Sequence, residues 1–192
     1  MTKILEKFVK GKMDKVALFV DGANFFYMQK DKLQWWIDPT KLFQWASGKG
    51  QVVEAFYYQA IDEFQNFSQD SYLKALSYAG YSPVTKELKI VHRHDGRGVT
   101  RKANFNVEIA VDMFNLIEYY DTVILVSGDA DFEYALQKLR ANGKKFYVLS
   151  TDGFVAREIR QVCGLHFIDI NSLRSDLEKT ARPPKIEKVG NF

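Results

Sequence analysis

Two unbroken apolar runs, each delivered straight into an acidic turn, constrain this chain more than anything else in it. Val16-Ala17-Leu18-Phe19-Val20 leads into Asp21-Gly22-Ala23-Asn24. Thr122-Val123-Ile124-Leu125-Val126 leads into Ser127-Gly128-Asp129-Ala130-Asp131. Runs of this length and composition read as buried strands. The residues after the second turn, Phe132 to Leu139, have a helical pattern. Carboxylates therefore stand where a strand ends and a helix begins, which in an open α/β sheet is the edge that binds ligands.

Strand-like and helix-like segments alternate along the rest of the chain, as expected of a mainly parallel sheet with helices on both faces. Further strands are expected over Val52 to Ala60, Val84 to Val91, Lys145 to Leu149 and, briefly, His166 to Ile168. The segment Val84 to Val91 is charged enough to lie at an edge. Asp38-Pro39 can cap and open one helix. Others are expected over Ser71 to Ala79, Phe105 to Tyr119, Asp131 to Asn142 and Phe154 to Val162, two of them closed by Gly80 and Gly143. A length of 192 residues suits one domain. Its expected extent is 16–170, after a basic lead-in over 1–15 and before a short helix and polar tail over 171–192 that holds Pro183-Pro184.

Cys163 is the single cysteine, so no internal disulfide can form. No apolar run approaches the roughly 18–20 residues of a membrane helix, and 1–15 lacks the apolar core of a signal peptide. A soluble, cytoplasmic protein that makes no membrane contact is the expectation. The net charge of +3 does not by itself imply a nucleic-acid partner.

Each acid has an ordinary explanation when taken singly. Asp21, Asn24 or Asp129 could cap a helix. In the helix expected from Asn104, the residues Val107, Ala110, Val111 and Phe114 fall at i, i+3, i+4, i+7 and read as its buried stripe. Glu108 and Asp112 lie one turn apart beside that stripe and could be a solvated face. Capping does not explain why Asp21, Glu108, Asp112, Asp129 and Asp131 all fall at compatible ends. If the first strand neighbours the strand before Asp129, these acids converge on one pocket. Clustered carboxylates raise one another's pKa unless a cation neutralises them. Their hard oxygens favour Mg2+ or Mn2+, and such a site suits metal-assisted phosphodiester hydrolysis.

The stretch from Lys86 to Lys102 sets Lys86, Lys89, Arg93, Arg97, Arg101 and Lys102 against Glu87 and Asp95. Gly96 and Gly98 make it loop-like, and it leads directly into the acidic helix. A basic loop there would suit a nucleic-acid backbone, or it could be a solvated edge. His92 and His94 lack the further ligands that zinc needs. Trp35 and Trp36 precede Asp38-Pro39 in a connection, where they could stack on bases, form a dimer contact or pack beneath the loop. Phe25 and Phe26 are expected to pack the first helix. Ser127 lacks a nucleophile-elbow pattern and a partner histidine. The glycines form no dinucleotide or Walker phosphate loop.

Phe19-Val20-Asp21-Gly22-Ala23-Asn24, then Lys102 to Met113, then Ile124 to Phe132 together resemble the three motifs of NYN domains, in the LabA-like branch of the PIN-like nuclease superfamily. The resemblance spans Val16 to Leu149. It implies a PIN-like Rossmannoid three-layer α/β/α sandwich with a mainly parallel central sheet of five to six strands. It also implies a metal-dependent endoribonuclease that uses Mg2+ or Mn2+. Asp21, Asp112, Asp129 and Asp131 would be catalytic, with Asp21, Asp112, Asp129 and Glu108 as the metal ligands. Asn24 and Asn106 would position substrate or water. Arg93, Arg97, Arg101 and Lys102 would hold RNA, single-stranded by expectation, and a homodimer is plausible. The family usually has an aspartate where this chain has Asn106, which supplies an oxygen but no charge. An alternative follows from that departure: a catalytically weak RNA-binding or regulatory module of the same fold. A haloacid-dehalogenase-type phosphatase would need Asp-x-Asp after the first strand, and the residue two beyond Asp21 is Ala23.

Overall fold

A computed structural model describes residues 13–61, 66–92 and 99–180, the side chains of 66–68, 89–92 and 99–102 excepted. The chain runs β1 (Lys15–Asp21), α1 (Gly22–Met28), a π-helical turn (Gln29–Leu33), α2 (Pro39–Ser47), β2 (Gln51–Ile61), α3 (Asn66–Tyr78) and β3 (Ser82–Glu87). It continues through β4 (Lys89–His92), β5 (Val99–Lys102), α4 (Asn106–Asn115), β6 (Thr122–Val126), α5 (Glu133–Ala141) and β7 (Lys145–Ser150). It closes with α6 (Arg157–Cys163), β8 (Phe167–Asp169) and α7 (Arg174–Leu177).

Six strands form one sheet in the order β3-β2-β1-β6-β7-β8, every neighbouring pair parallel. Parallel strands are covered on both faces, which is why the apolar runs do not alternate with polar residues. Every residue of β6 is buried, as is all of β1 after Lys15. Val16, Leu18 and Val20 point into one core with Phe25, Met28, Leu42, Leu76 and Leu177. Ala17 and Phe19 point into the other with Ile109, Met113, Leu136 and Ile159. The expected three-layer architecture follows from that two-sided burial. No helix among the described residues is long and apolar enough to cross a membrane.

The chain steps outward from β1 to β3, then returns to lay β6 on the other side of β1, with Val20 opposite Val126. Strand order reverses between β1 and β6, and the carboxyl ends at such a switch point flank a crevice. Asp21 ends β1, and Asp129 lies three residues beyond β6.

Three expectations need correction. The strand expected over Val84 to Val91 is two strands. β3 stays on the sheet edge until Leu88 donates its N–H to the Ile61 carbonyl at 3.1 Å. β4 then leaves the sheet and pairs antiparallel with β5, a segment that reads as loop, placing Ile90 opposite Arg101. Helix α4 is shorter than expected and buries another face: Val107 is 72% exposed and Val111 49%, whereas Phe105, Ile109 and Met113 are buried. This helix carries apolar residues most of the way round, so two stripes satisfy the helical period and the sequence does not choose between them. The helix after Asp129 begins as a 3-10 turn over Ala130–Phe132, so Asp131 sits in that turn rather than in α5.

Candidate functional site

The switch point gathers six polar side chains from three separate segments: Asp21 and Asn24, Asn106, and Ser127, Asp129 and Asp131. Asp21 caps α1: its Oδ1 accepts the Asn24 N–H at 3.2 Å, and its Oδ2 accepts the Ser127 hydroxyl at 3.1 Å. The residue is only 6% exposed. Burial raises its pKa above the ordinary 3.8, the charge of Asp129 adds to the rise, and the bonds from Asn24 and Ser127 oppose it. Asn24 turns its Oδ1 to the Gly128 N–H at 2.9 Å, which ties α1 to the loop after β6. Gly22 makes this junction possible by close approach rather than by unusual dihedrals. A β-carbon there would stand 2.3 Å from the Tyr58 carbonyl oxygen on β2.

Asp129 caps the 3-10 turn, its Oδ1 accepting the Asp131 N–H at 3.0 Å. Its own N–H donates to Ser127 Oγ at 3.2 Å, so Ser127 links the two aspartates. Asn106 opens α4 and crosses to the same loop. Its Nδ2 donates to Asp129 Oδ2 at 3.1 Å and to Asp131 Oδ2 at 2.7 Å. Only this amide orientation sets donors against both carboxylates. A neutral amide thus bridges two anions.

Asp112 and Glu108 are held elsewhere. Asp112 Oδ2 accepts the hydroxyl of the buried Tyr58 at 2.8 Å, and burial with this bond pushes the Tyr58 pKa far up. Glu108 forms an ion pair with Lys86, whose Nζ also donates to the Asn104 carbonyl at 3.1 Å. Neither acid lines the cleft at the switch point. Their helical spacing is as expected, but the face they share turns toward β2 and β3. Arg93 and Arg97 lie outside the described residues. Arg101 and Lys102 are placed on β5 by their backbone alone.

Among the described residues no three His, Cys, Asp or Glu side chains form a group that could hold a metal ion. What the site offers is the carboxylate pair Asp21 and Asp129, with Asn106 beside Asp129. That donor set still fits magnesium, which keeps several waters and takes one or two carboxylates plus substrate phosphate.

Asp21, Asn106 and Asp129 line a cleft of about 1220 Å³. Phe26, Tyr27, Trp36 and Tyr72 are also among its lining residues. The sequence alone reads Phe26 as packing the first helix and leaves Trp36 open between base stacking, a dimer contact and packing beneath the loop. The available signal was that Phe25-Phe26-Tyr27 on so short a helix cannot all face inward, and only Phe25 of the three is buried.

Comparison with known proteins agrees with this architecture. The NYN domain family model matches residues 15–173. The low amplitude and bright protein LabA of Synechococcus elongatus is 40% identical over 172 residues, covering 88% of this chain and 90% of that protein. An uncharacterised protein of Methanocaldococcus jannaschii is 27% identical over 154 residues, covering 79% of this chain and 54% of that protein. The crystal structure of a protein of unknown function from Vibrio parahaemolyticus superposes with a TM-score of 0.70 at 23% identity, covering 84% of this chain and 96% of that one. That likeness concerns the fold alone.

Proposed function

This chain belongs to the NYN domain family, a PIN-like nuclease family, and on that premise we propose that it is a metal-dependent endoribonuclease that hydrolyses phosphodiester bonds in RNA. The observation that carries the proposal is the pairing of Asp21 and Asp129 at the ends of adjacent parallel strands, open to one cleft. Asp21 and Asp129 would hold Mg2+ or Mn2+, with Asn106 supplying an amide oxygen if it turns from its present bonds. When bound, the ion would neutralise charge on the scissile phosphate and lower the pKa of an attacking water.

This chain's own residues fix the geometry. Ser127 and the Asn24 N–H lock the two oxygens of Asp21 in direction, so the carboxylate needs no reorganisation on loading. Asn24, bonded to the Gly128 N–H, keeps the Asp21 and Asp129 loops at fixed separation. Asn106 orients Asp129 through its second oxygen.

Replacing Asp129 with Asn retains a good helix cap and should abolish Mn2+-dependent cleavage of single-stranded RNA. Unchanged cleavage by this variant would overturn the assignment. A second reading rests on Asn106: its amide already satisfies Asp129 and Asp131 without a cation, as suits an RNA-binding or regulatory module. RNA binding by wild type with neither cleavage nor metal binding would favour that module.

A further inference from the structure

We propose that the aromatic lining of the cleft is a base-stacking platform for single-stranded RNA, adjoining the phosphate that Asp21 and Asp129 would address. This rests on the ribonuclease reading of those two acids. Phe26, Tyr27 and Trp36 are 45%, 52% and 50% exposed, whereas their neighbours Phe25 and Trp35 are buried. They form one patch. The ring centroids of Phe26 and Tyr27 are 5.4 Å apart, and those of Phe26 and Trp36 are 5.8 Å apart.

The two tryptophans of this loop play different parts. Trp35 is buried at 4% exposure and donates its ring N–H toward Asn171, so it packs under the loop. Trp36 faces the cleft instead. Its backbone is pinned: the Lys179 N–H donates to the Trp36 carbonyl at 2.8 Å, and Ile37 bridges antiparallel to Glu178. A rigid ring loses little entropy on meeting a ligand.

The occupant follows from what surrounds the rings. Phe26 lies five residues along α1 from Asp21, about 7.5 Å at the helical rise, a span on the order of one nucleotide. The rings and the acids line the same cleft, so a strand whose phosphate reaches Asp129 brings a neighbouring base to Phe26 or Trp36. Cations flank the patch, with Lys30 Nζ 5.9 Å from the Phe26 ring centroid and Lys179 on the cleft lining. Aromatic faces interleaved with lysines are how sequence-tolerant single-strand sites are built. A paired base has its faces covered by its neighbours, so a duplex cannot use the platform.

The test uses Asp129→Asn as a non-cleaving host and adds Phe26→Ala or Trp36→Ala. Fluorescence anisotropy then follows a labelled oligouridylate and an RNA duplex, and sedimentation follows the mass of each variant. Each ring truncation is expected to weaken oligouridylate binding between about five-fold and about a hundred-fold and to leave duplex binding unchanged. Equal oligouridylate affinity with and without the rings, while wild type still cleaves RNA, overturns the platform and spares the ribonuclease. Absence of both RNA binding by the host and cleavage by wild type overturns the function itself, and the platform with it. A dimer that the ring truncations convert to monomer assigns the patch to self-association and overturns the platform.

Discussion

Asn106→Asp tests whether the bridging amide stands where charge balance would otherwise need a cation. In the wild type one Nδ2 donates to Asp129 and Asp131 at 3.1 and 2.7 Å. Hydrogen bonds to charged groups contribute about 1.5–3 kcal/mol each, and the exposure of Asp131 puts its share at the low end. The variant loses both bonds and places a third carboxylate against two others. At about 4 Å such repulsion ranges from about 1 kcal/mol in water to about 4 kcal/mol at a protein surface. An acid at the first residue of α4 recovers about 0.3–1 kcal/mol from the helix dipole, too little to reverse the sign. The low ends of these terms leave a net loss without metal of at least about 3 kcal/mol. For a chain of this size that lowers Tm by at least roughly 6–12 °C. Mn2+ at a hundred times its Kd returns about 2.7 kcal/mol, and the stronger anionic site should need less Mn2+ than wild type. Thermal melts by circular dichroism, in EDTA and across a Mn2+ titration, read both quantities. A variant as stable as wild type in EDTA, or one with no larger response to Mn2+, would refute the reasoning.

Two further outcomes follow from the same junction. Because burial raises the Asp21 pKa above 3.8, this group favours the folded state fully below that value, and the contribution is lost as pH rises through the raised value. Asp21→Asn should therefore melt higher than wild type at pH 7 in EDTA, with the gap closing as pH falls through the raised value toward 3.8 and vanishing when Mn2+ is added; a lower Tm at pH 7 would show that the Ser127 hydrogen bond outweighs the buried charge. Gly22→Ala sets a methyl 2.3 Å from a backbone oxygen of β2, which cannot swing aside as a side chain would. The expected cost is about 1–3 kcal/mol, seen as a Tm roughly 3–10 °C lower, and a melt within about 1 °C of wild type would contradict it.

The sheet was legible because parallel strands covered on both faces leave an unmistakable trace, as in Val16 to Val20 and Thr122 to Val126. The positions of Asp21 and Asp129 were legible for the same reason, since strand ends locate themselves once the strands do. Helix orientation was not. Val107, Ile109, Ala110, Val111, Met113 and Phe114 leave α4 with almost no polar side, so its rotation is set by how Ile109 and Met113 pack under β1 and β6. That rotation decides which acids reach the cleft: it sends Asn106 to Asp129 and Asp112 to Tyr58. The hairpin of β4 and β5 was hidden because its pairing is set by a departure from the sheet edge, not by alternation.

The position of Asn106 gives this rotation its functional weight. A helix turned by one residue would bring a carboxylate from Glu108 or Asp112 toward the crevice and leave the amide outside. The observed rotation does the opposite, and it fixes it with bonds at both ends of the helix: Asn106 to the acidic loop, and Asp112 to a buried tyrosine. Charge at the switch point is therefore held to the acids of β1 and of the loop after β6, two of which an uncharged amide bridges by hydrogen bonds. On the proposed reading, such a site would bind a cation through two carboxylates and leave most of the coordination sphere to water and phosphate. Metal affinity and RNA affinity would then be linked, because phosphate would supply ligands that the protein lacks. By reciprocity, single-stranded RNA should tighten Mn2+ binding by the same factor by which Mn2+ tightens RNA binding.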